Sequence, residues 1–228
     1  MKTVKDIRDM FAQKYSKEEF VIDKTGCKML EEIGVSFIAD EETIFGKVNQ
    51  EYIKKELDWY ISQSLNVYDI PETPTIWKQV ATEDGYINSN YGYLLFSESN
   101  NSQYKSVWEA LRSDQNTRRA AMIYTRPSIQ QEYNTGGMSD FICTNAVNYF
   151  IRDNRLHCVV QMRSNDIWAG YRNDYAWQKW VLERLHGDLL TTYPDLEVGN
   201  IIWNAASLHM YERNFGLIRK YNNSGLYK

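Results

Sequence analysis

The spacing of apolar side chains predicts four long helices. Between residues 3 and 17, Val4, Ile7, Met10 and Phe11 recur at the interval of an amphipathic helix. The same reading predicts further helices over residues 49–65, 103–113 and 173–190.

Five other runs are rich in β-branched, aromatic and other apolar residues, which favour strands. They lie within residues 28–39, at 120–125, 143–151 and 156–163, and around 201–204. Turn-forming residues between 71 and 92 predict a long irregular segment. Because helices bracket consecutive strands, we expect an α+β fold with a mixed sheet and helices packed on one side of it.

No internal repeat, low-complexity tract or Pro/Gly/Ser-rich linker divides the chain, so residues 1–228 are expected to form a single domain. The net charge of −4 disfavours direct binding of nucleic acid. The three cysteines and three histidines lack the spacing of disulfide or metal sites, so no metal is expected. The chain has no apolar run of about 18 residues, so we expect no transmembrane helix. The first twenty residues lack the apolar core of a signal peptide, so we expect a cytoplasmic location.

Cys143 opens an apolar, strand-like run and has two interpretations. A free cysteine is most often a small buried hydrophobic residue. It becomes a nucleophile where nearby cationic groups lower the pKa of its thiol. Cys27 and Cys158 have no such setting in the sequence.

Two arginine-containing segments are candidates for binding an anion. Arg163 and Ser164 follow the end of a predicted strand, and Arg118 and Arg119 precede another. A guanidinium group binds phosphate through its fixed fork of donors. The alternatives are a charged turn for the first segment and a solvated surface for the second.

Polar side chains at four further positions also allow two interpretations. Glu56 is a carboxylate that either reaches solvent or lies in a pocket, where desolvation raises its pKa. Asp174 is either a first-turn carboxylate that interacts with the helix dipole or a functional group. His209 and Tyr211 alternate as on a strand and face one side, either in the core or towards a sugar.

Taken together, these motifs resemble those of the thymidylate synthase family. Cys143 precedes the RSND segment at 163–166 by twenty positions, as the family's nucleophile precedes its R-S-x-D motif. The pair at 118–119 and the HMY segment at 209–211 resemble the family's arginine pair and sugar-binding H-x-Y. The resemblance implies a thymidylate synthase-like fold over nearly the whole chain, with a sheet face used for dimerisation.

Several segments are more similar to the deoxycytidylate hydroxymethylase branch of this family, including VIDKTG, INSNYG, GMSDFICTN and RSNDIWAGYRNDYAWQK. Asp174 stands where thymidylate synthases have an asparagine that contacts the pyrimidine. Ile142 replaces the usual proline before the nucleophile, and Lys24 replaces a usual arginine of the phosphate loop. This likeness implies transfer of a one-carbon unit from 5,10-methylenetetrahydrofolate to C5 of dCMP, with water completing a hydroxymethyl group.

The resemblance also implies a role for each matching position. The catalytic residues would be Cys143, which adds to C6 of the pyrimidine, Glu56, which orders water and manages protons, Tyr91, which helps at C5, and Asp174. Ionised Asp174 would accept from N4 of cytosine and stabilise, or supply, a proton at N3. The dCMP-binding residues would be Arg163, Ser164, Lys24, His209 and Tyr211, with Arg118 and Arg119 donated across a homodimer. Asp166 and Trp77 would bind the folate.

Three alternatives use the same residues differently. A thymidylate synthase would deliver hydride and release dihydrofolate, and a CMP hydroxymethylase would differ at the sugar. A non-catalytic nucleotide- or RNA-binding protein is the third alternative. The joint presence of Cys143, Glu56 and Asp174 argues against it, because binding alone needs no nucleophile.

Overall fold

The computed structural model describes all residues from 1 to 228. Its helices are α1 (Val4–Ser16), α2 (Gln50–Ser62), α3 (Thr75–Val80), α4 (Tyr91–Phe96), α5 (Gln103–Ser113), α6 (Ile129–Glu132), α7 (Ala169–Leu189) and α8 (Phe215–Ser224). Its strands are β1 (Lys2–Thr3), β2 (Val21–Ile22), β3 (Lys28–Ile38), β4 (Ala121–Ile123), β5 (Thr144–Arg152), β6 (Arg155–Met162), β7 (Asn165–Asp166) and β8 (Glu197–Tyr211).

All eight strands form one mixed sheet, with a main path in the order β1-β3-β8-β6-β5-β4. Strand β8 is parallel to β6 and antiparallel to β3, while β7 pairs with the end of β8. The predicted α+β fold with a mixed sheet is therefore confirmed.

One face of the sheet carries the core. Along β6, Leu156, Cys158, Val160 and Met162 are buried, whereas the residues between them are partly or fully exposed. Helix α7 crosses this buried face and contacts β6 and β8. The opposite face is open in the single chain, where Ile33 of β3 is 78% exposed.

A shift in the alternation of β8 changes which of its residues face the core. Ile201, Trp203 and Ala205 are buried in one phase, but Leu208 and Met210 are buried in the other. The pairing of β3 with β8 leaves out Gly34 and the opposite Ala206, and the φ of +73° at Gly34 suits glycine. After the shift, the side chains of His209 and Tyr211 lie on the opposite side of the strand from those of Leu208 and Met210. Asp166 of β7 pairs with His209 in this part of β8.

The structure corrects two of the predicted boundaries. The segment predicted to be irregular, 71–92, contains helix α3 and the start of helix α4. Both helices are too short to show a clear helical period in the sequence. Helix α7 begins at Ala169 rather than at 173, so Asp174 is its sixth residue. The interpretation of Asp174 as a first-turn carboxylate at a helix dipole is therefore wrong.

Helix α4 approaches α2 unusually closely. A side chain at Gly92 would collide with the backbone carbonyl of Tyr60, so the two helices can touch here because this residue is glycine. The contact stacks the ring of Tyr91 on that of Tyr60, with centroids 5.2 Å apart. No helix of the fold has the length and apolar character needed to cross a membrane.

Candidate active site

A cavity of about 610 Å³ opens beside the ends of β5 and β6. Three helices and one loop supply most of its wall: α2 and α3 on one side, the first two turns of α7 on another, and the segment before β5 on the third. The wall combines polar and apolar groups: Lys24, Tyr52, Glu56, Tyr60, Ile76, Trp77, Val80, Ser89, Tyr91, Gln130, Tyr133, Ser139, Asp140, Phe141, Cys143, Arg163, Ala169, Gly170, Asn173 and Asp174.

Cys143 and Arg163 meet where β5 begins and β6 ends. The backbone N–H of Arg163 donates to the carbonyl of Cys143 at 2.9 Å, which fixes the two segments together. The guanidinium group donates from Nε to the carbonyl of Ile142 at 2.9 Å and from Nη2 to the carbonyl of Phe141. Nη2 also lies 3.5 Å from Cys143 Sγ, so a fixed cation faces the thiol.

Burial outweighs this cation in the unliganded protein. Desolvation raises the pKa of Cys143 to about 11, opposed by Arg163 and reinforced by the carboxylates of Asp174 and Asp140. The thiol is thus protonated at neutral pH. Arg163 acts in the expected direction, towards a lower pKa, but burial has the larger effect.

Glu56 is held in a hydrogen-bonded triad on the cavity wall. Its Oε1 accepts from the hydroxyl of Tyr52 at 2.6 Å and from Nε1 of Trp77 at 3.3 Å, and Trp77 Nε1 lies 3.0 Å from the Tyr52 hydroxyl oxygen. The side chain is 5% exposed. Burial raises its pKa to about 7, although both hydrogen bonds act to lower it. Glu56 is therefore a carboxyl group in a pocket, and it exchanges a proton near neutral pH.

Asp174 lines the same cavity and accepts a hydrogen bond from Asn165 Nδ2 to its Oδ2 at 2.8 Å. Burial, together with the nearby carboxylate of Glu56, raises the pKa of Asp174 well above its ordinary value. This shift is towards the neutral acid in the unliganded protein, the opposite direction from the ionised Asp174 expected from the sequence.

Tyr91 is positioned next to the nucleophile through the first residue of β5. Thr144 Oγ1 lies 3.1 Å from the Tyr91 hydroxyl, and Tyr91 itself lines the cavity. Burial raises the pKa of Tyr91 well above its ordinary value, so its hydroxyl stays protonated and can donate.

Seven of the predicted site residues line this one cavity: Lys24, Glu56, Trp77, Tyr91, Cys143, Arg163 and Asp174. Ser164 follows Arg163 directly, and Asp166 pairs in register with His209, so these residues and Tyr211 adjoin the cavity without forming its wall. Arg118 and Arg119 are exposed and do not line the cavity of their own chain.

Sequence reasoning missed several polar groups of the site. Tyr52 precedes Glu56 by one helical turn, a spacing that could have indicated the contact. Asp140 is buried and accepts from the backbone N–H groups of Asn88 and Ser89 and from the Ser89 hydroxyl. Its partners lie about fifty residues away, so no local pattern reveals this contact.

Comparison with known proteins gives consistent matches along the chain. A family model described as thymidylate synthase matches residues 16–223. Deoxycytidylate 5-hydroxymethyltransferase from Enterobacteria phage T2 is 52% identical over 226 residues, covering 98% of this chain and 92% of that protein. The enzyme of the same name from phage T4 is 53% identical over 219 residues, covering 95% and 89%. A thymidylate synthase from Francisella philomiragia subsp. philomiragia is 26% identical over 179 residues, covering 74% and 64%.

Proposed function

The chain belongs to the thymidylate synthase family, and we propose that within it the protein is a deoxycytidylate 5-hydroxymethyltransferase. It transfers a one-carbon unit from 5,10-methylenetetrahydrofolate to C5 of dCMP, and water completes the hydroxymethyl group. The products are 5-hydroxymethyl-dCMP and tetrahydrofolate.

One observation of the site carries this proposal beyond the family. A thiol, Cys143, and a buried carboxyl group, Asp174, share one cavity with a second carboxyl, Glu56. The thiol suits covalent activation of a pyrimidine, Asp174 suits the N3/N4 edge of cytosine, and Glu56 suits activation of water. Identity of 52–53% to the phage enzymes over at least 95% of the chain supports the activity itself.

The first step makes C5 nucleophilic. Cys143 transfers its proton to water in the cavity, its Sγ bonds to C6, and the displaced π electrons move towards C5 and N3. Arg163 Nη2 faces the sulfur and stabilises the thiolate as it forms. Asp174, as the neutral acid, donates its proton towards N3 and so stabilises the charge that develops on the ring.

The last step adds water. Glu56 holds a water molecule and accepts its proton as the oxygen bonds to the exocyclic methylene carbon on C5. The methylene electrons restore the C5–C6 double bond, and the Cys143–C6 bond breaks. A pKa of about 7 lets Glu56 accept and then release a proton at neutral pH. Tyr91 donates a hydrogen bond to a water molecule near C5, and this water accepts the proton that leaves the carbon.

The nucleotide is held by charge and by hydroxyl contacts around the cavity. Arg163, Ser164 and Lys24 bind the phosphate group, and His209 and Tyr211 contact the deoxyribose hydroxyl. Arg163 currently donates to backbone carbonyls, and its guanidinium also lies 4.6 Å from the ring centre of Phe141. Lys24 offers a point charge rather than a bidentate fork.

The aromatic and apolar residues of the cavity wall fit a reduced folate. Trp77, Tyr133 and Phe141 present aromatic surface next to the apolar side chains of Ile76 and Val80. Asp166 Oδ2 is buried and has no hydrogen-bond partner, which suits the N–H donors of a pterin. Asp166 and Trp77 would hold the folate, and the folate supplies the methylene carbon.

The active form is a homodimer that associates through the open face of the sheet. Arg118 and Arg119 are exposed and free of the cavity of their own chain, so they are available to the phosphate site of a partner. Residues 1–228 act as one domain. The similar enzymes are phage proteins, so the host cytoplasm, where dCMP is present, is the proposed location.

Product identification tests this function directly. The protein is incubated with methylenetetrahydrofolate and, in parallel reactions, with dCMP, dUMP or CMP. The nucleotide products are identified by mass spectrometry. Hydroxymethylated dCMP is the expected main product. A methylated dUMP product would instead identify a thymidylate synthase, and preference for CMP would identify a ribonucleotide hydroxymethylase.

A further inference from the structure

One residue of the RSND segment has no role in the reaction described above. Asn165 lies on β7 between Ser164 and Asp166 and is 2% exposed. Its Nδ2 donates to Asp174 Oδ2 at 2.8 Å, and its Oδ1 is buried without a partner. The amide of Asn165 therefore acts on the carboxyl group that meets the base.

A neutral carboxyl group does not by itself select cytosine. It offers one donor and one acceptor, and moving its proton to the other oxygen reverses their order. Cytosine presents an acceptor at N3 and a donor at N4, whereas uracil presents a donor at N3 and an acceptor at O4. Because burial favours the neutral form of Asp174, the protein must fix which of its oxygens carries the proton.

The contact with Asn165 supplies this asymmetry. An amide N–H donates better to a carbonyl oxygen than to the hydroxyl oxygen of an acid, so it favours a proton on Oδ1. Oδ1 makes no hydrogen bond within the protein, and Asp174 lines the cavity. Oδ2 is a carbonyl oxygen in this state and has two lone pairs, so it can accept from Asn165 and from one further donor.

The backbone keeps the two side chains together. Asn165 is fixed by pairing of β7 with Leu208 of β8. A Cβ atom at Gly170 would lie 3.4 Å from Asn165 Nδ2 and 3.8 Å from Asp174 Oδ2. The first turn of α7 therefore lies beside the contact, at a distance that would admit one further carbon atom.

Building on the proposed function, we infer that Asn165 is a specificity-determining positioning residue. It makes Asp174 selective for cytosine over uracil. With the proton on Oδ1, the carboxyl donates to N3, and Oδ2 accepts from the N4 amino group as well as from Asn165. Uracil would require the proton on Oδ2, where the amide donor of Asn165 opposes it. Asp174 therefore distinguishes the bases through its neighbour.

The test is the ratio of kcat/KM for dCMP to that for dUMP, measured by release of tritium from C5. Asn165→Ala removes the donor, and the ratio is expected to fall about tenfold or more, since a lost buried hydrogen bond typically changes discrimination by that factor. Asn165→Asp keeps the shape but replaces the donor with an acceptor, so the ratio is expected to fall at least as far.

The matched control places Asn165→Ala in an Asp174→Asn background. If Asn165 acts through Asp174, the ratio should not fall further in the double variant. Two outcomes would overturn the inference. An equal, measurable loss of kcat/KM on both nucleotides would show a structural role. A fall of the ratio in the double variant as large as the fall in Asn165→Ala alone would show a role independent of Asp174. If Asn165→Ala has no measurable turnover on either nucleotide, so that no kinetic ratio can be formed, the ratio of the calorimetric Kd values for dCMP and dUMP is judged by the same criteria.

The two proposals fail in different ways. A wild-type protein that does not hydroxymethylate dCMP contradicts the proposed function. A wild-type protein that does so, but whose base preference is unchanged by both substitutions at Asn165, contradicts this inference alone.

Discussion

The Cys143 thiol combines two opposing influences, a buried position that disfavours the thiolate and a guanidinium group 3.5 Å away that favours it. We expect Cys143→Ser to abolish turnover while leaving dCMP binding largely intact, because a serine hydroxyl ionises far less readily and forms no C6 adduct. Turnover and calorimetric binding measure the two effects separately.

The matched control is Cys27→Ser, since Cys27 lies outside the cavity in the loop before β3. It should retain near wild-type activity. Retention of more than a few per cent of activity by Cys143→Ser would show that the nucleophile is misassigned.

Glu56 sets the expected pH dependence of product formation. Its pKa is raised to about 7, so its ionised fraction grows as the pH rises from 6 to 8. Water activation needs the ionised form, and kcat/KM should therefore decline below pH 7. In Glu56→Gln, product formation should fall steeply and this acid limb should disappear, while tritium release from C5 of dCMP should persist better.

Glu51 provides the control because it is an exposed glutamate on the same helix, paired with Lys55. Glu51→Gln should leave both readouts and the pH profile unchanged. Equal loss of tritium release and product in Glu56→Gln would mean that Glu56 acts before the water step.

At the scale of single elements, Asp166 links the start of α7 to the proposed folate site. Its Oδ1 accepts from the backbone N–H groups of Trp168 and Ala169 at 2.9 and 2.7 Å, whereas Oδ2 is buried and unpartnered. Asp166→Ala should lose about 1 kcal/mol of stability, the usual cost of removing such a cap. It should also raise KM for the folate.

Asp166→Asn separates the two roles. The amide oxygen can still accept from the helix N–H groups, but the second acceptor becomes a donor. We expect near wild-type stability in denaturant titrations together with a raised KM for the folate. Equal stability loss in both variants, or an unchanged KM in both, would contradict this assignment.

The elements differ in how far the sequence predicts them. Helix α1 and strands β5 and β6 follow from periodicity because each has one buried face over many residues. The start of α7 does not, because the side chain that accepts from its first N–H groups belongs to Asp166, which lies on strand β7 before the helix. Strand β8 was predicted only around 201–204, since its change of phase interrupts the alternation on which the prediction depends.

At the scale of the whole molecule, sequence motifs identified residues that come from separate parts of the chain and meet in one cavity. Glu56, Tyr91, Cys143 and Asp174 are examples, and resemblance to a family was needed to link them. Without that resemblance, Cys143, Glu56 and Asp174 each have an ordinary structural alternative, and Tyr91 is not singled out. The protonation states of Cys143 and Asp174 could not be predicted, because they depend on burial that only the folded arrangement creates.

The proposed dimer makes a prediction that single-chain catalysis does not. Arg119 is exposed and remote from the wall of its own cavity, so we expect it to bind phosphate in the partner's site. Subunits carrying Cys143→Ser and subunits carrying Arg119→Ala should each be inactive alone or strongly impaired. After exchange, a mixed dimer contains one site that has both Cys143 and a partner's Arg119, and equal mixing should restore about a quarter of the wild-type sites. Mixing Cys143→Ser with Glu56→Gln subunits is the control, since both residues belong to the same chain's cavity and no intact site can form. Recovered activity in the first mixture but not in the second supports donation across the interface, whereas complete subunit exchange without recovery in the first contradicts it.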